Sequence, residues 1–133
     1  MIALDTNVLA RYIVQDDPAQ AAVAAKLIES ECSSEEPGLV SSVTLCELVW
    51  VLSRGYRASR ERIGAVLRTL LCAEELQAED PDLAWRALGL FQEGSADFAD
   101  YLAGASNRAR GATATYTFDK TASTSDLFTL IEA

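Results

Sequence analysis

The sequence predicts an α/β protein built on a central parallel sheet with helices on both faces. Short apolar or β-branched runs, at residues 1–4, 39–41, 75–78 and 113–117, alternate with longer segments of helical periodicity. The helical segments open on capping residues, and some close on glycine. Strands separated by helices pair in parallel through right-handed crossovers. At 133 residues, half of them hydrophobic, the chain has the size and composition of one globular domain spanning 1–133.

Residues 1–4 are all apolar and fit a strand buried on both faces. Asp5-Thr6-Asn7 are helix-start residues, and Val8-Leu9-Ala10 and Tyr12-Ile13-Val14 continue apolar. Asp16-Asp17-Pro18 opens a second helix, with Pro18 in its first turn and Ala21, Ala22, Ala25 and Ile28 on its apolar face. Residues 30–38 are polar and read as a loop. Leu39-Val40-Ser41 is the second strand, and the helix after it covers about 44–53 and closes at Gly55. Ser59 starts an amphipathic helix with Ile63, Val66, Leu67, Leu70 and Leu71 at helical spacing. Residues 75–78 form a third, weakly marked strand. Asp80-Pro81 begins the helix that carries Leu83, Ala84, Ala87, Leu88 and Phe91, and Gly94-Ser95 breaks it. Residues 97–110 are helical up to Gly111, 113–117 are β-rich, and 127–131 form a last edge strand.

Composition narrows the chemistry. The chain has no histidine, which removes imidazole general bases, Ser-His-Asp hydrolysis and His-rich zinc sites. Reaction chemistry must therefore run on carboxylates, hydroxyls and metal-activated water. Cys32, Cys46 and Cys72 lack metal-ligand spacing and fit reduced, buried thiols of a cytosolic protein. A net charge of −9 argues against a conventional basic nucleic-acid binder. It suits a cluster of acids neutralised by cations, and a basic partner. No apolar stretch reaches the roughly 18 residues that span a membrane. The N-terminus carries no signal peptide, so the expected location is the cytoplasm, with no membrane partner.

Four acids sit in apolar sequence surroundings: Asp5 after 1–4, Glu47 within 43–52, Asp100 before 101–105, and Asp119 after Phe118. A buried, unpaired carboxylate costs several kcal/mol or takes up a proton. A shared cation relieves that cost, and hard oxygen ligands select Mg²⁺ or Mn²⁺. Each acid also has a plain structural reading. Asp5 is a good helix cap, with Thr6 and Asn7 beside it as polar supports. Thr44-Leu45-Cys46-Glu47 matches a capping box, in which Glu47 reaches back to the cap. Asp97 and Asp100, spaced i, i+3, complement a helix dipole. Asp119 fits a turn residue paired with Lys120. Topology puts Asp5, Glu47 and Asp119 at the carboxyl edge of the sheet, where sites form in such folds. The start of a helix feeding a parallel strand is expected at the opposite edge, so position alone does not place Asp100. Arg11, Arg108 and Lys120 are candidate phosphate contacts.

Five ordered blocks carry a family resemblance. They are the residues 1–9, Asp16-Asp17-Pro18-Ala19-Gln20, Glu47-Leu48-Val49-Trp50-Val51-Leu52, the residues 96–102, and Thr117-Phe118-Asp119. Together they resemble PIN-domain ribonucleases, in particular the VapC-type toxins of bacterial toxin–antitoxin pairs, over nearly the whole chain. The resemblance implies a PIN-like α/β/α sandwich and Mg²⁺- or Mn²⁺-dependent hydrolysis of RNA. It implies a catalytic cluster of Asp5, Glu47, Asp100 and Asp119, with Asp97 as a further ligand or support beside Asp5, Asp100 and Asp119 at the metal. Thr6, Asn7 and Thr117 are the supporting neighbours. It also implies a cognate antitoxin and a homodimer, and it brings Asp100 to the same edge as the other acids. Two features depart from the pattern. Ala103-Gly104-Ala105 stands where the family usually begins with a bulkier aliphatic, and residues 120–126 are rich in Ser and Thr. The competing readings are a phosphohydrolase with an aspartyl nucleophile at Asp5, and a non-catalytic module that keeps the fold. The first commonly needs a second Asp two residues on, where Asn7 stands.

Overall fold

Helix starts in this chain are set by short polar side chains. Asp17, Ser41 and Ser59 each accept a hydrogen bond from the backbone N–H three residues on: Gln20 at 3.1 Å, Thr44 at 3.1 Å and Arg62 at 3.1 Å. Each contact satisfies one of the donors that a helix leaves unpaired at its N-terminus. The computed structural model describes all residues, 1–133, and shows a mixed α/β chain with parallel strands forming two compact units, Met1–Pro81 and Asp82–Ala133.

The first unit runs α1 (Thr6–Val14), α2 (Pro18–Glu31), β1 (Gly38–Val40), α3 (Ser42–Trp50), a π-helical turn (Val51–Gly55), α4 (Arg60–Cys72) and β2 (Leu76–Ala78). β1 pairs in parallel with β2 in the register Gly38↔Leu76, Leu39↔Gln77, Val40↔Ala78. On its other side β1 receives the N-terminal segment: Leu4 N–H donates to Leu39 O at 2.9 Å, and Leu39 N–H to Ile2 O at 2.8 Å. The expected first strand thus shrinks to one parallel bridge, Ala3↔Leu39. It is not buried on both faces: Leu4 points inward while Met1 and Ala3 are exposed. Asp5 cuts the run short because α1 begins at the next residue.

Two helix faces differ from the expectation. On α2 the buried residues are Ala21, Ala24 and Ile28, whereas Ala22 is exposed and Ala25 half-buried. On α4 they are Ile63, Gly64, Leu67 and Leu70, with Val66 and Leu71 only partly covered. α3 starts at Ser42, earlier than the sequence suggests, and continues through the π-turn so that Gly55 lies inside the last turn and Tyr56 closes it. Of the cysteines only Cys32 is buried; Cys46 is half-covered and Cys72 exposed, all three as free thiols. Burial pushes the Cys32 and Cys46 thiols up.

The second unit holds α5 (Pro81–Glu93), which begins at the boundary, then α6 (Phe98–Ala109), β3 (Thr115–Thr117), a 3₁₀ turn (Ala122–Thr124) and β4 (Phe128–Leu130). β3 and β4 are parallel, in the register Thr115↔Phe128, Tyr116↔Thr129, Thr117↔Leu130. Phe91 of α5 and Phe98 of α6 meet edge to face, centroids 6.1 Å apart. Gly111, at φ +102°, turns the chain after α6, a conformation that glycine adopts without Cβ strain. A Cβ on Gly104 would come within 2.8 Å of the Phe128 ring, so this glycine lets β4 lie close against α6, while Ala103 before it is exposed.

Candidate active site

In the first unit Asp5 caps α1, its Oδ1 accepting from the Thr6 N–H at 2.8 Å. This bond reaches only the adjacent residue, so it is a weak cap and occupies one carboxylate oxygen. Thr6 is buried beside it, and its Oγ1 has no hydrogen-bond partner in the protein. A buried hydroxyl left unpaired costs about 1–3 kcal/mol, and it is the kind of group that a bound water or ligand satisfies. Asn7 is exposed on the edge of a groove between α1 and α2.

Glu47 loses its capping explanation. The cap of α3 is Ser41, whose Oγ accepts from Thr44 N–H and donates to Thr44 Oγ1 at 3.0 Å. Glu47 therefore stands in the second turn, exposed, with no cap to reach. Its helix packs against α1, the helix that Asp5 opens. Because Glu47 supports no local contact, Glu47→Gln is expected to leave the melting stability within about 0.5 kcal/mol of the parent. A thermal melt showing a loss above about 1 kcal/mol would restore a structural role.

In the second unit Asp97 is the N-cap residue of α6, without a side-chain cap bond, and Asp100 lies in the first helical turn. Asp119 follows β3. Its Oδ1 accepts from Thr121 N–H at 2.8 Å and Ala122 N–H at 3.3 Å, opening the 3₁₀ turn. Its own N–H donates to Thr117 Oγ1 at 3.0 Å. The expected pairing with Lys120 is replaced by these backbone bonds, which hold the carboxylate at the end of the strand.

The three acids of this unit share one electrostatic field. Partial burial raises the Asp100 carboxyl above its ordinary range, and the negative charges of Asp97 and Asp119 raise it further. Sequence position alone leaves Asp100 unplaced; in the folded chain it lies within electrostatic reach of Asp97 and Asp119. α6 packs against β3, the strand that Asp119 follows. None of the described ion pairs uses Asp5, Glu47, Asp97, Asp100 or Asp119. Apart from Asp100, which is half-buried, these acids are exposed, and the enclosure anticipated from their apolar neighbours is not found.

Within neither unit do three acids or thiols converge tightly enough to hold a metal by themselves. That is compatible with Mg²⁺, which keeps several waters and takes one or two carboxylates instead of an all-protein cage. The donors are hard oxygens, and the repulsion around Asp100 is what a cation relieves; the residues fit such an ion by chemistry.

Of the three candidate phosphate contacts, two are engaged. Arg11 Nη1 binds Asp16 at 3.0 and 3.1 Å and Tyr56 Oη at 3.1 Å, and its Nε donates to Gln20 Oε1 at 2.7 Å. Burial alone would raise the Asp16 carboxyl, but the bonds from Arg11 and Tyr56 outweigh it and hold it low. Arg108 donates to the Asp126 carbonyl at 2.7 Å. Lys120 is exposed. Arg54, Arg57, Arg60 and Arg62 fall within nine residues, a concentration of charge visible in the sequence that no motif signals.

Parallel strands alternating with helices define the α/β class, in which sites form beyond the carboxyl ends of the strands. The PIN domain family model matches residues 2–124, and the chain belongs to that family. PIN domains are generally nucleases, that is, hydrolases, and a PIN nuclease domain implies an RNA substrate. No curated protein and no solved structure matches the chain. No helix is long and apolar enough to cross a membrane.

Proposed function

We propose that the chain is a Mg²⁺- or Mn²⁺-dependent endoribonuclease, the toxin of a bacterial toxin–antitoxin pair of the VapC type. The observation that carries it is the Asp97–Asp100–Asp119 trio, unpaired with any cation, in a chain of the PIN family. The family match runs through both compact units, which supports reading 1–133 as one PIN domain.

In this reading the metal-binding acids are Asp97, Asp100 and Asp119 in the second unit and Asp5 in the first, one or two of them touching the ion directly, and Glu47 of the first unit belongs to the catalytic set. When bound, the ion supplies Lewis-acid activation of water and charge stabilisation at phosphorus. The protein's part is positional. Thr117 and the amides of Thr121 and Ala122 fix Asp119, leaving its second oxygen for other work. Asp100 presents the charge hardest to sustain without a cation. The hydroxyl of Thr6, which has no partner in the protein, would donate a hydrogen bond to a group bound beside Asp5. No histidine is available to shuttle protons.

Cleavage of RNA in Mg²⁺, lost in EDTA, is the expected result. Asp5→Asn is the sharpest variant, because Asn caps a helix as well as Asp does and only the charge is removed. Its activity is expected to fall more than about a hundredfold, given that even outer partners of metal ligands cost 10–100-fold. Cleavage at the parent rate by this variant, at an unchanged Tm, would sink the assignment. Covalent phosphorylation of Asp5 would instead establish the phosphohydrolase reading.

The cytoplasmic setting, the antitoxin and the homodimer belong to the same proposal. Two apolar surfaces favour protein partners. One is the groove of about 360 Å³ between α1 and α2, lined by Val8, Val23 and Leu27. The other is the pair Val43 and Trp50 on α3, 67% and 63% exposed. A small antitoxin gene beside this one is the simplest check of the toxin role.

A further inference from the structure

Positive charge in this acidic chain is concentrated in one segment. Of eleven Lys and Arg residues, Arg54, Arg57, Arg60 and Arg62 fall within nine consecutive positions, offset only by Glu61, while the whole chain carries −9. All four are exposed, and the segment contains no lysine. Guanidinium groups grip phosphate with two parallel hydrogen bonds, which an ammonium cannot do.

Local stability does not explain them. Arg60 and Arg62 lie in the first turn of α4, where the helix dipole favours acids and opposes cations. Arg57 holds a left-handed backbone at φ 53°, a costly conformation for a residue with a Cβ. Arg54 sits in the π-turn, a rare form that is frequent at functional sites. The segment is nonetheless held firmly. Tyr56 donates its hydroxyl to Asp16 Oδ2 at 3.1 Å and receives Arg11 Nη1 at 3.1 Å, while Ala58 N–H bonds Leu52 O at 2.9 Å.

The same unit links this segment to two of the candidate acids. Glu47 and Arg54 lie on one continuous helical rod, about 10 Å apart along its axis. Asp5 opens α1, which packs on that rod, and Arg11 of α1 reaches Tyr56 at its end.

We propose that Arg54, Arg57 and Arg62 contact the phosphate backbone of RNA, holding the strand beside the Asp5 and Glu47 edge. Arg60 has an interaction of its own within the protein and is not counted. The proposal rests on the ribonuclease reading. It resolves a conflict of charge: an acidic protein that acts on a polyanion needs a local cationic grip, and arginines 11 and 108 are already engaged.

The test is binding of labelled oligo-uridylate to the full chain by fluorescence anisotropy in EDTA, which needs no cleavage. Each phosphate contact on a single strand contributes about 0.7 to the slope of log Kd against log salt, so the triple variant R54A/R57A/R62A should lose about 2 from that slope and bind roughly tenfold or more weakly near 50 mM salt. The triple Arg→Lys variant should keep the slope and lose part of the affinity. Single alanine variants, each expected to lose about 0.7, serve if the triple fails to fold. A parental slope in the alanine variants overturns the proposal. So does equal competition by poly-glutamate of matched charge, which would make the segment a dock for an acidic protein. Cleavage with an unchanged slope removes only the proposed contact. Loss of slope with no Mg²⁺-dependent cleavage by the parent removes only the ribonuclease reading.

Discussion

Asp100→Asn is expected to abolish RNA cleavage and, in EDTA, to make the protein more stable. The fold opposes ionisation of Asp100, first by partial burial and then by the charges of Asp97 and Asp119. Its folded pKa lies above the ordinary 3.8, so between that value and the raised one the folded protein holds a proton that the unfolded chain has released. Stability contributed by this group falls as pH rises through that window, and the full penalty persists above it. The neutral amide removes the penalty, so the difference in Tm between variant and parent should grow from acid to neutral pH. Cleavage should fall by more than about a hundredfold. Mg²⁺ should reverse the ranking: a ligand at a hundred times its Kd adds about 2.7 kcal/mol to the state that binds it, and the variant forfeits most of that gain. Thermal melts across pH, with and without Mg²⁺, read all of this. A parent that gains nothing from Mg²⁺, or a variant that melts lower than the parent in EDTA at neutral pH, contradicts the electrostatic account.

Gly94→Ala is expected to be the most damaging single methyl group in the second unit. A Cβ at this position would collide with the Tyr101 hydroxyl and lie 3.1 Å from the Leu90 carbonyl. Tyr101 is buried, and its hydroxyl accepts the hydrogen bond of the buried Ala96 N–H at 3.1 Å. If the ring shifts, that donor is stranded. Overpacking costs about 1–3 kcal/mol and the stranded donor about as much again, so a loss of roughly 2–6 kcal/mol follows. Tyr101→Phe removes the obstructing oxygen together with the acceptor. The double variant Gly94→Ala/Tyr101→Phe should therefore lose less than the sum of the singles, a coupling that a double-mutant cycle reads directly. Strict additivity would show that the collision is relieved in some other way. Asp97 and Asp100 lie in the turn these residues brace, so activity should fall in step with stability.

Local signals were legible wherever the interaction stays within a few residues. Asp17-Pro18 and Ser59 opened helices as read, because a cap bonds the amide three positions on. The same local logic misplaced the start of α3. Thr44 and Glu47 match a capping box, but β1 pairs with β2 only as far as Val40↔Ala78, and Ser41 takes the cap as the chain leaves the sheet. Where β1 ends depends on a strand far along the chain. Burial was misread for a related reason. Apolar neighbours in sequence made the acids seem enclosed, yet a strand end or helix start delivers its residue to the sheet edge, where most of them meet water.

By itself the sequence determined the kinds of element, most of their caps, and the inventory for chemistry: no imidazole, hard carboxylate oxygens and a PIN-like order of motifs. It also held the arginine-rich segment, hidden under a net charge of −9. Only the tertiary structure decided that Asp97, Asp100 and Asp119 feel one another, that Arg11 and Arg108 are occupied, and that Glu47 is released from capping. Caps and propensities act over one turn of chain, whereas Coulomb repulsion, desolvation and hydrogen-bond competition act through space, between residues that only the folded chain brings near.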